Sequence, residues 1–170
     1  MAKIGLFYGS TSSKTADVAE QIQSALGGEA VVDLYDIADV EVQQLAEYDY
    51  LLIGCPTWNI GDLQSDWEGV FDDLDEVGFE GKTVAYFGTG DQVGYADNFM
   101  DAIGLLEEKI SSLGAKTIGY WPLTGYDFNE SRAVRDGKFC GLALDEDNEP
   151  EKTSERIQTW VAQVKPALGL

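Results

Sequence analysis

The chain has 170 residues, 44% hydrophobic and 11% aromatic, enough to bury a full core in one domain spanning 1–170 without staples. Its 31 acidic residues against 11 basic ones give a formal net charge of -20, a surface that repels nucleic acid and anionic membranes and favours basic partners, although such a surface also serves solubility alone. There is no histidine, and Cys55 and Cys140 have neither C-x-x-C nor metal-site spacing, which excludes Ser-His-Asp and Cys-His triads and histidine metal ligands.

The first apolar run, Lys3–Gly9, has the length of a strand buried on both faces. It is too short for a signal peptide, and no span approaches membrane length; a cytoplasmic protein is expected, with both cysteines reduced packing residues. The segment G-S-T-S-S-K-T follows at Gly9–Thr15. It nearly spells the P-loop G-x-x-x-x-G-K-[ST], but is one residue and one glycine short, so a single phosphate monoester suits it better than a triphosphate. Backbone N–H groups entering a helix, with the hydroxyls of Ser10, Thr11, Ser12, Ser13 and Thr15, favour an anion, and Lys14 is the only cation there. A plain serine-rich helix N-cap fits the same residues, and the loop alone does not separate the two readings.

A helical stripe of Val18, Ala19, Ile22, Ala25 and Leu26 ends at Gly27-Gly28, a C-cap signal. Strands are predicted at Val31–Leu34 and Tyr50–Gly54, then a loop C-P-T-W-N-I-G-D from Cys55. Its Trp58 suits a core position or a ligand platform, and Asn59 and Gly61 beside it suit unusual backbone angles. A shorter helix is predicted over Gln64–Leu74 and a strand over Thr83–Gly88. The loop G-T-G-D-Q-V-G-Y-A-D-N-F from Gly88 has glycines at the wrong spacing for a dinucleotide fingerprint, yet lets backbone approach a flat ligand beside Tyr95. A second stripe, Ile103, Leu106, Ile110 and Leu113, ends at Gly114. Ile118–Tyr120 and Gly141–Leu144 read as two pieces of one strand, split by the Tyr-, Asp- and Gly-rich Pro122–Cys140. A last stripe runs from Ile157 to Leu168.

This alternation predicts a doubly wound α/β domain, a parallel sheet with helices on both faces. Ligands of such sheets bind beyond the carboxyl ends of the strands. The three polar and glycine-rich loops should converge there, with a phosphate on the first and an aromatic ring between Trp58 and Tyr95.

Over essentially its whole length the chain resembles the long-chain flavodoxins, in particular the cyanobacterial ones. The match rests on I-G-L-F-Y-G at Ile4–Gly9, I-G-C-P-T-W-N-I-G at Ile53–Gly61, F-G-T-G-D-Q-V-G-Y-A-D-N-F at Phe87–Phe99, Y-W-P-L-T-G-Y-D-F and G-L-A-L-D-E-D. The resemblance implies a five-stranded sheet of order 2-1-3-4-5, its last strand split by the long-chain insertion. It implies FMN, with phosphate on Ser10–Thr15 and the isoalloxazine stacked by Trp58 and Tyr95. Backbone at Thr57–Ile60 and Gly90–Gln92 would meet the ring edges, with Gly61, Thr89, Asp91 and Phe99 completing the loops and Asn98 and Asp147 on the ribityl side. The carbonyl of Asn59 would accept a hydrogen bond from flavin N5 in the neutral semiquinone. The family's phosphate loop is usually T-x-T-G-x-T; here Ser13 replaces the glycine, and its hydroxyl is expected to be a ligand.

The implied function is a low-potential one-electron carrier, shuttling between semiquinone and hydroquinone without a substrate of its own. Its partners would be photosystem I and ferredoxin–NADP reductase, with the protein acting as a monomer. Eight acids and no base lie between Asn59 and Gly81, and Asp145, Glu146 and Asp147 follow. Around a buried ring they would disfavour an anionic reduced flavin, although the distal ones suit a merely solvated face. A response-regulator receiver fails on residues: Gly54-Cys55-Pro56 stands where its phosphoacceptor aspartate belongs, and Gly9-Ser10 where its acids would follow the first strand. An FMN-dependent quinone reductase or nitroreductase shares cofactor and fold, but needs an open pocket over the ring.

Overall fold

The computed structural model describes residues 4–170; Lys3, expected to open the first strand, lies outside them. Parallel strands β1 (Ile4–Tyr8), β2 (Val32–Asp36), β3 (Tyr50–Gly54) and β6 (Thr83–Thr89) form the sheet. β1, β3 and β6 carry almost continuous apolar runs and are buried along nearly their whole length, as a sheet covered on both faces requires. The edge strand β2 instead alternates apolar residues with aspartate and is mostly half-buried. Between β3 and β6 a small hairpin pairs β4 (Thr57–Trp58) with β5 (Asp62–Leu63).

The spatial order runs β2, β1, β3, β6, the order expected from sequence. Because β3 pairs one side of β6 from Thr83 to Phe87, the other side is left for two short strands. β7 (Lys116–Ile118) takes the first half of it and β11 (Leu142–Leu144) the second, both parallel. Residues 119–141 leave the sheet between them and form a small three-stranded sheet of β8 (Trp121–Pro122), β9 (Val134–Arg135) and β10 (Lys138–Phe139). The first of the two pieces differs from the expected Ile118–Tyr120. It ends at Ile118 because Gly119 has φ +81° and turns the chain out of the extended conformation.

Helix α1 (Lys14–Leu26) connects β1 to β2, and the chain then reverses direction across the sheet to β3 and β6. Right-handed crossovers therefore put α1 on one face and the segments following β3 and β6 on the other. α4 (Thr153–Val164) packs on α1, while α3 (Asp101–Ser112) packs on β6 and the β4–β5 hairpin. The predicted helix at Gln64–Leu74 is α-helical only as α2 (Ser65–Val70); a 3-10 segment follows at Asp72–Glu76. Asp72, Asp73, Asp75 and Glu76 crowd like charge there, and aspartate is a poor helix former. Trp67 on α2 is fully buried and donates its indole N–H to the Gly54 carbonyl at 2.9 Å, fixing α2 against the end of β3.

Residues 119–141 press on α3 at one glycine. A Cβ on Gly104 would stand 2.5 Å from the Arg132 carbonyl oxygen, with backbone on both sides of the contact. Arg135 completes the attachment, bonding Glu107 at 3.1 Å and the Gly104 carbonyl at 3.2 Å. Gly104→Ala should force the two segments apart and destabilise the fold by about 1–3 kcal/mol, the usual range for overpacking. The check is urea unfolding: the midpoint should fall, with the slope preserved.

Candidate functional site

β1, β3 and β6 are in register, Tyr8 beside Gly54 and Gly54 beside Phe87. Their carboxyl ends therefore deliver the three predicted loops to one edge of the sheet, where strand order reverses. A cleft of about 310 Å³ opens there. The first loop lines it with Ser12 and Lys14, the second with Thr57, Trp58 and Asn59, and the third with Thr89, Gly90, Asp91, Tyr95 and Asn98. Asp147 closes the far side beside Glu146.

In the first loop the chain turns from β1 into α1 through Ser13, which has φ +68° and no side-chain capping bond. A left-handed conformation is costly for a residue with a Cβ. Among the described residues no acceptor takes the backbone N–H groups of Ser10 to Thr15. The hydroxyls are partly committed. Thr15 is buried and shares a hydrogen bond with Thr89 at 3.1 Å, tying the first loop to the third. Thr11 accepts from Gln64 at 3.2 Å and Ser10 from the Ala16 amide at 3.4 Å. Lys14 reaches across the cleft to Asp147 at 2.6 Å, and that bond holds its ammonium pKa above the ordinary value.

The second loop is the β4–β5 hairpin. Asn59 (φ +46°) and Gly61 (φ +93°) flank Ile60 at its tip, so the two residues suited to unusual angles hold them. Thr57 accepts the Ala102 amide at 3.0 Å and so caps α3. Trp58 is 38% exposed, which places it at the cleft and not in the core. Ile60 is 77% exposed and does not line the cleft.

In the third loop Asp91 accepts from the amides of Gly94 and Val93 and from Asn148. Burial pushes its carboxyl up, but these donors outweigh it and hold the pKa below the usual value. Tyr95 is 47% exposed. Two residues expected at the ligand are engaged elsewhere. Phe99 is buried in an aromatic cluster with Tyr126, Phe128 and Phe139. Gln92 is buried, its amide N–H taken by Asp145 at 3.2 Å. Both follow strong turn and apolar signals that describe the loop without saying which way each side chain faces. Sequence reasoning did not single out Pro56, which also lines the cleft, as does Glu146. Glu146 lay within a recognised acidic run; burial raises its carboxyl pKa, against the pull of Thr153 and Lys14.

The cleft pairs a donor-rich end with an aromatic-walled end. Six free amides suit the dianion of a phosphate monoester. Trp58 and Tyr95, both lining the cleft and partly exposed, offer aromatic faces of the kind that stack on a flat ring. Comparison with known proteins agrees in kind. The protein-family model for flavodoxin matches residues 6–160. The chain is 65% identical over 170 residues to a flavodoxin of Synechococcus elongatus, covering 100% of both chains. It is 62% identical over 168 residues to one of Synechocystis, covering 99% of both. The crystal structure of a Fusobacterium nucleatum flavodoxin bound to flavin mononucleotide superposes with a TM-score of 0.92 at 29% identity, over 98% of this chain and 99% of that one.

The loop after β11 offers a test by pH. Lys152, Gln92 and Arg156 all donate to Glu149, the Lys152 bond foremost, and bring its carboxyl pKa down to about 2. A carboxylate whose folded pKa is depressed stabilises the fold above its unfolded value near ~4.3, and that contribution is lost as pH falls toward the folded one. Glu149→Gln should therefore cost about 1–2 kcal/mol at neutral pH after screening. In urea unfolding at a series of pH values, the gap to the wild type should close as pH drops from ~4.5 to ~2.

Proposed function

The chain belongs to the flavodoxin family, and on that premise we propose that it carries electrons singly on one non-covalently bound FMN, from photosystem I to ferredoxin–NADP reductase or similar acceptors. The observation that carries the reading is the cleft itself, with free amides at one end and Trp58 and Tyr95 at the other. Bound FMN supplies redox chemistry in one- and two-electron steps; the protein supplies the setting.

In this reading the amides and hydroxyls of Ser10–Thr15 hold the phosphate, with Lys14 kept in place by Asp147. Trp58 and Tyr95 wall the ring and exclude water from its faces. The peptide at Asn59 presents its carbonyl to a proton at flavin N5, and the angles at Asn59 and Gly61 leave that peptide free to turn. Asn98 and Asp147 border the ribityl chain. Glu146, Asp147 and Asp91 line the cleft, and its single lysine is already paired, so added negative charge on the ring meets desolvation and repulsion. Every 1.4 kcal/mol of that penalty lowers a one-electron potential by roughly 59 mV. Gln92 and Phe99 take supporting places behind the loop.

The whole chain would act as one flavin-binding unit, a cytoplasmic monomer serving photosynthetic electron transport. The charge of -20 supports docking to basic faces with fast exchange, and no helix among the described residues is long and apolar enough to cross a membrane. Transfer to a basic partner should slow as ionic strength rises, because screening shortens the reach of that attraction. Titration with FMN should give saturable 1:1 binding, and the loaded protein should show no substantial NADPH-driven quinone turnover. Substantial turnover would sink the carrier reading in favour of a reductase.

The phosphate loop separates geometry from chemistry at one residue. Ser13→Gly should relieve the left-handed strain, worth about 1 kcal/mol, and raise the midpoint of urea unfolding of the apoprotein. If the hydroxyl donates to phosphate, the same change should weaken FMN about 10-fold, in the range of a hydrogen bond to a charged group. Ser13→Ala should weaken FMN similarly without stabilising the apoprotein. FMN affinity that rises in Ser13→Gly would mean that the hydroxyl contributes nothing.

A further inference from the structure

Tyr95 forms one wall of the cleft, yet among the described residues no other aromatic ring packs on its own ring. Its position is set by its backbone. Inside the loop, the Tyr95 amide donates to Asp91 and its carbonyl accepts from Asn98, both at 3.1 Å. From outside, residues 119–141 grip the next residue: the amides of Asn129 and Glu130 both donate to the Ala96 carbonyl, at 2.8 and 3.1 Å. The Asn129 side chain adds a bond to Asp97 at 2.9 Å.

Gln92 joins these pieces. Its side-chain oxygen accepts the Asp127 amide at 2.6 Å, a bond from the inserted segment. Its side-chain nitrogen donates to Asp145 at 2.8 Å and to Glu149 at 2.7 Å, both on the loop after β11. The residue is 4% exposed and Asp145 is fully buried. One amide therefore crosslinks three segments distant in sequence, two of which border the cleft. Glutamine can do this and leucine of similar size cannot: both an acceptor and two donors are needed at one point.

We infer that Gln92 is a positioning residue for the flavin, through which the inserted segment 119–141 holds the Tyr95 wall against the ring. The inference rests on the FMN reading above. It gives the insertion a task in cofactor binding, carried out without touching the cofactor. The ring end of the cleft hangs directly on this crosslink, whereas no hydrogen bond among the described residues joins Ser10–Thr15 to Gln92 or to residues 119–141. The phosphate end meets the third loop and the loop after β11 only through the Thr15–Thr89 and Lys14–Asp147 bonds.

Isothermal titration of Gln92→Leu, Tyr95→Ala and the double variant tests this. Gln92→Leu should weaken FMN about 10- to 100-fold, the range for leaving buried polar partners unpaired. Binding of inorganic phosphate to the apoprotein should stay within about twofold. In the Tyr95→Ala background Gln92→Leu should cost less than about twofold, since a residue acting through Tyr95 has nothing left to act on. Equal losses in both backgrounds, or a parallel loss of phosphate affinity, would overturn the inference. Should Gln92→Leu fail to fold, hydrogen exchange of the wild type decides. By reciprocity FMN must then slow exchange of the Asp127, Asn129 and Glu130 amides, and unchanged rates overturn the inference. A wild type that takes up no FMN overturns the cofactor reading along with it, whereas normal wild-type binding with an indifferent Gln92→Leu overturns only the role of Gln92.

Discussion

With 31 acids and 11 bases, this chain has too few cations to pair with its anions, and several buried or loop carboxylates around the cleft are held by neutral donors instead. Asp145 is fully buried, and among the described residues its oxygens are bonded only by the Gln92 amide and side chain and by Asn148. Asp101, 2% exposed, accepts from the Arg132 backbone and the Asn98 side chain. Asp91 is held by two loop amides and Asn148. Neutral N–H dipoles do the work that arginines do in more basic proteins. The phosphate loop obeys the same rule, since its one cation is spent on Asp147 in a solvent-exposed pair worth little by itself.

Dipoles fixed in the backbone can only be aimed by fixing the backbone. The loops are accordingly tied to one another and to the elements beside them. Thr15 binds Thr89 across two loops, Thr57 caps α3, and Gln64 reaches Thr11. The left-handed Ser13 belongs with these ties: a strained residue persists only where its surroundings over-determine it, and the buried Thr15 two residues on supplies that constraint. The inserted segment extends the scheme to the third loop. Its Arg135 guanidinium bonds Glu107 and the Gly104 carbonyl of α3, while the backbone amide of Arg132 bonds Asp101 at the start of α3.

Much of this was legible in the sequence. Apolar runs of strand length and stripes ended by glycine located the sheet and three helices, and the three loops were found because each follows a buried strand. The two halves of the last strand were legible too, but not where the first half stops, which Gly119 decides through a positive φ. Trp58 could not be assigned to core or cleft from its neighbours; the short pairing of Thr57–Trp58 with Asp62–Leu63 lifts it out of the core. Gln92 and Phe99 were legible as loop residues but not as inward-facing ones. What turns them inward is the segment 119–141, a long-range contact that local pattern does not record. Ser13 was visible as a departure from the family pattern, and its physical meaning appeared only with its φ.

The two ends of the cleft also divide the protein's task. At the first loop, free amides at the start of α1 present the positive end of a helix dipole, which on the proposed reading would favour the phosphate dianion and so supply affinity. Glu146 and Asp147 line the same cleft as Trp58 and Tyr95, and on the proposed reading they would penalise any further negative charge on the ring, although Asp147 is also the partner of Lys14. A single uniform field could not serve both purposes, because a cleft positive enough to hold phosphate by charge alone would also stabilise the reduced ring and raise its potential. Holding the phosphate by dipoles whose effect fades within about a helical turn keeps the two requirements apart. Acidic residues near the ring can then set how strong a reductant the protein is, at small cost to how tightly the cofactor stays bound.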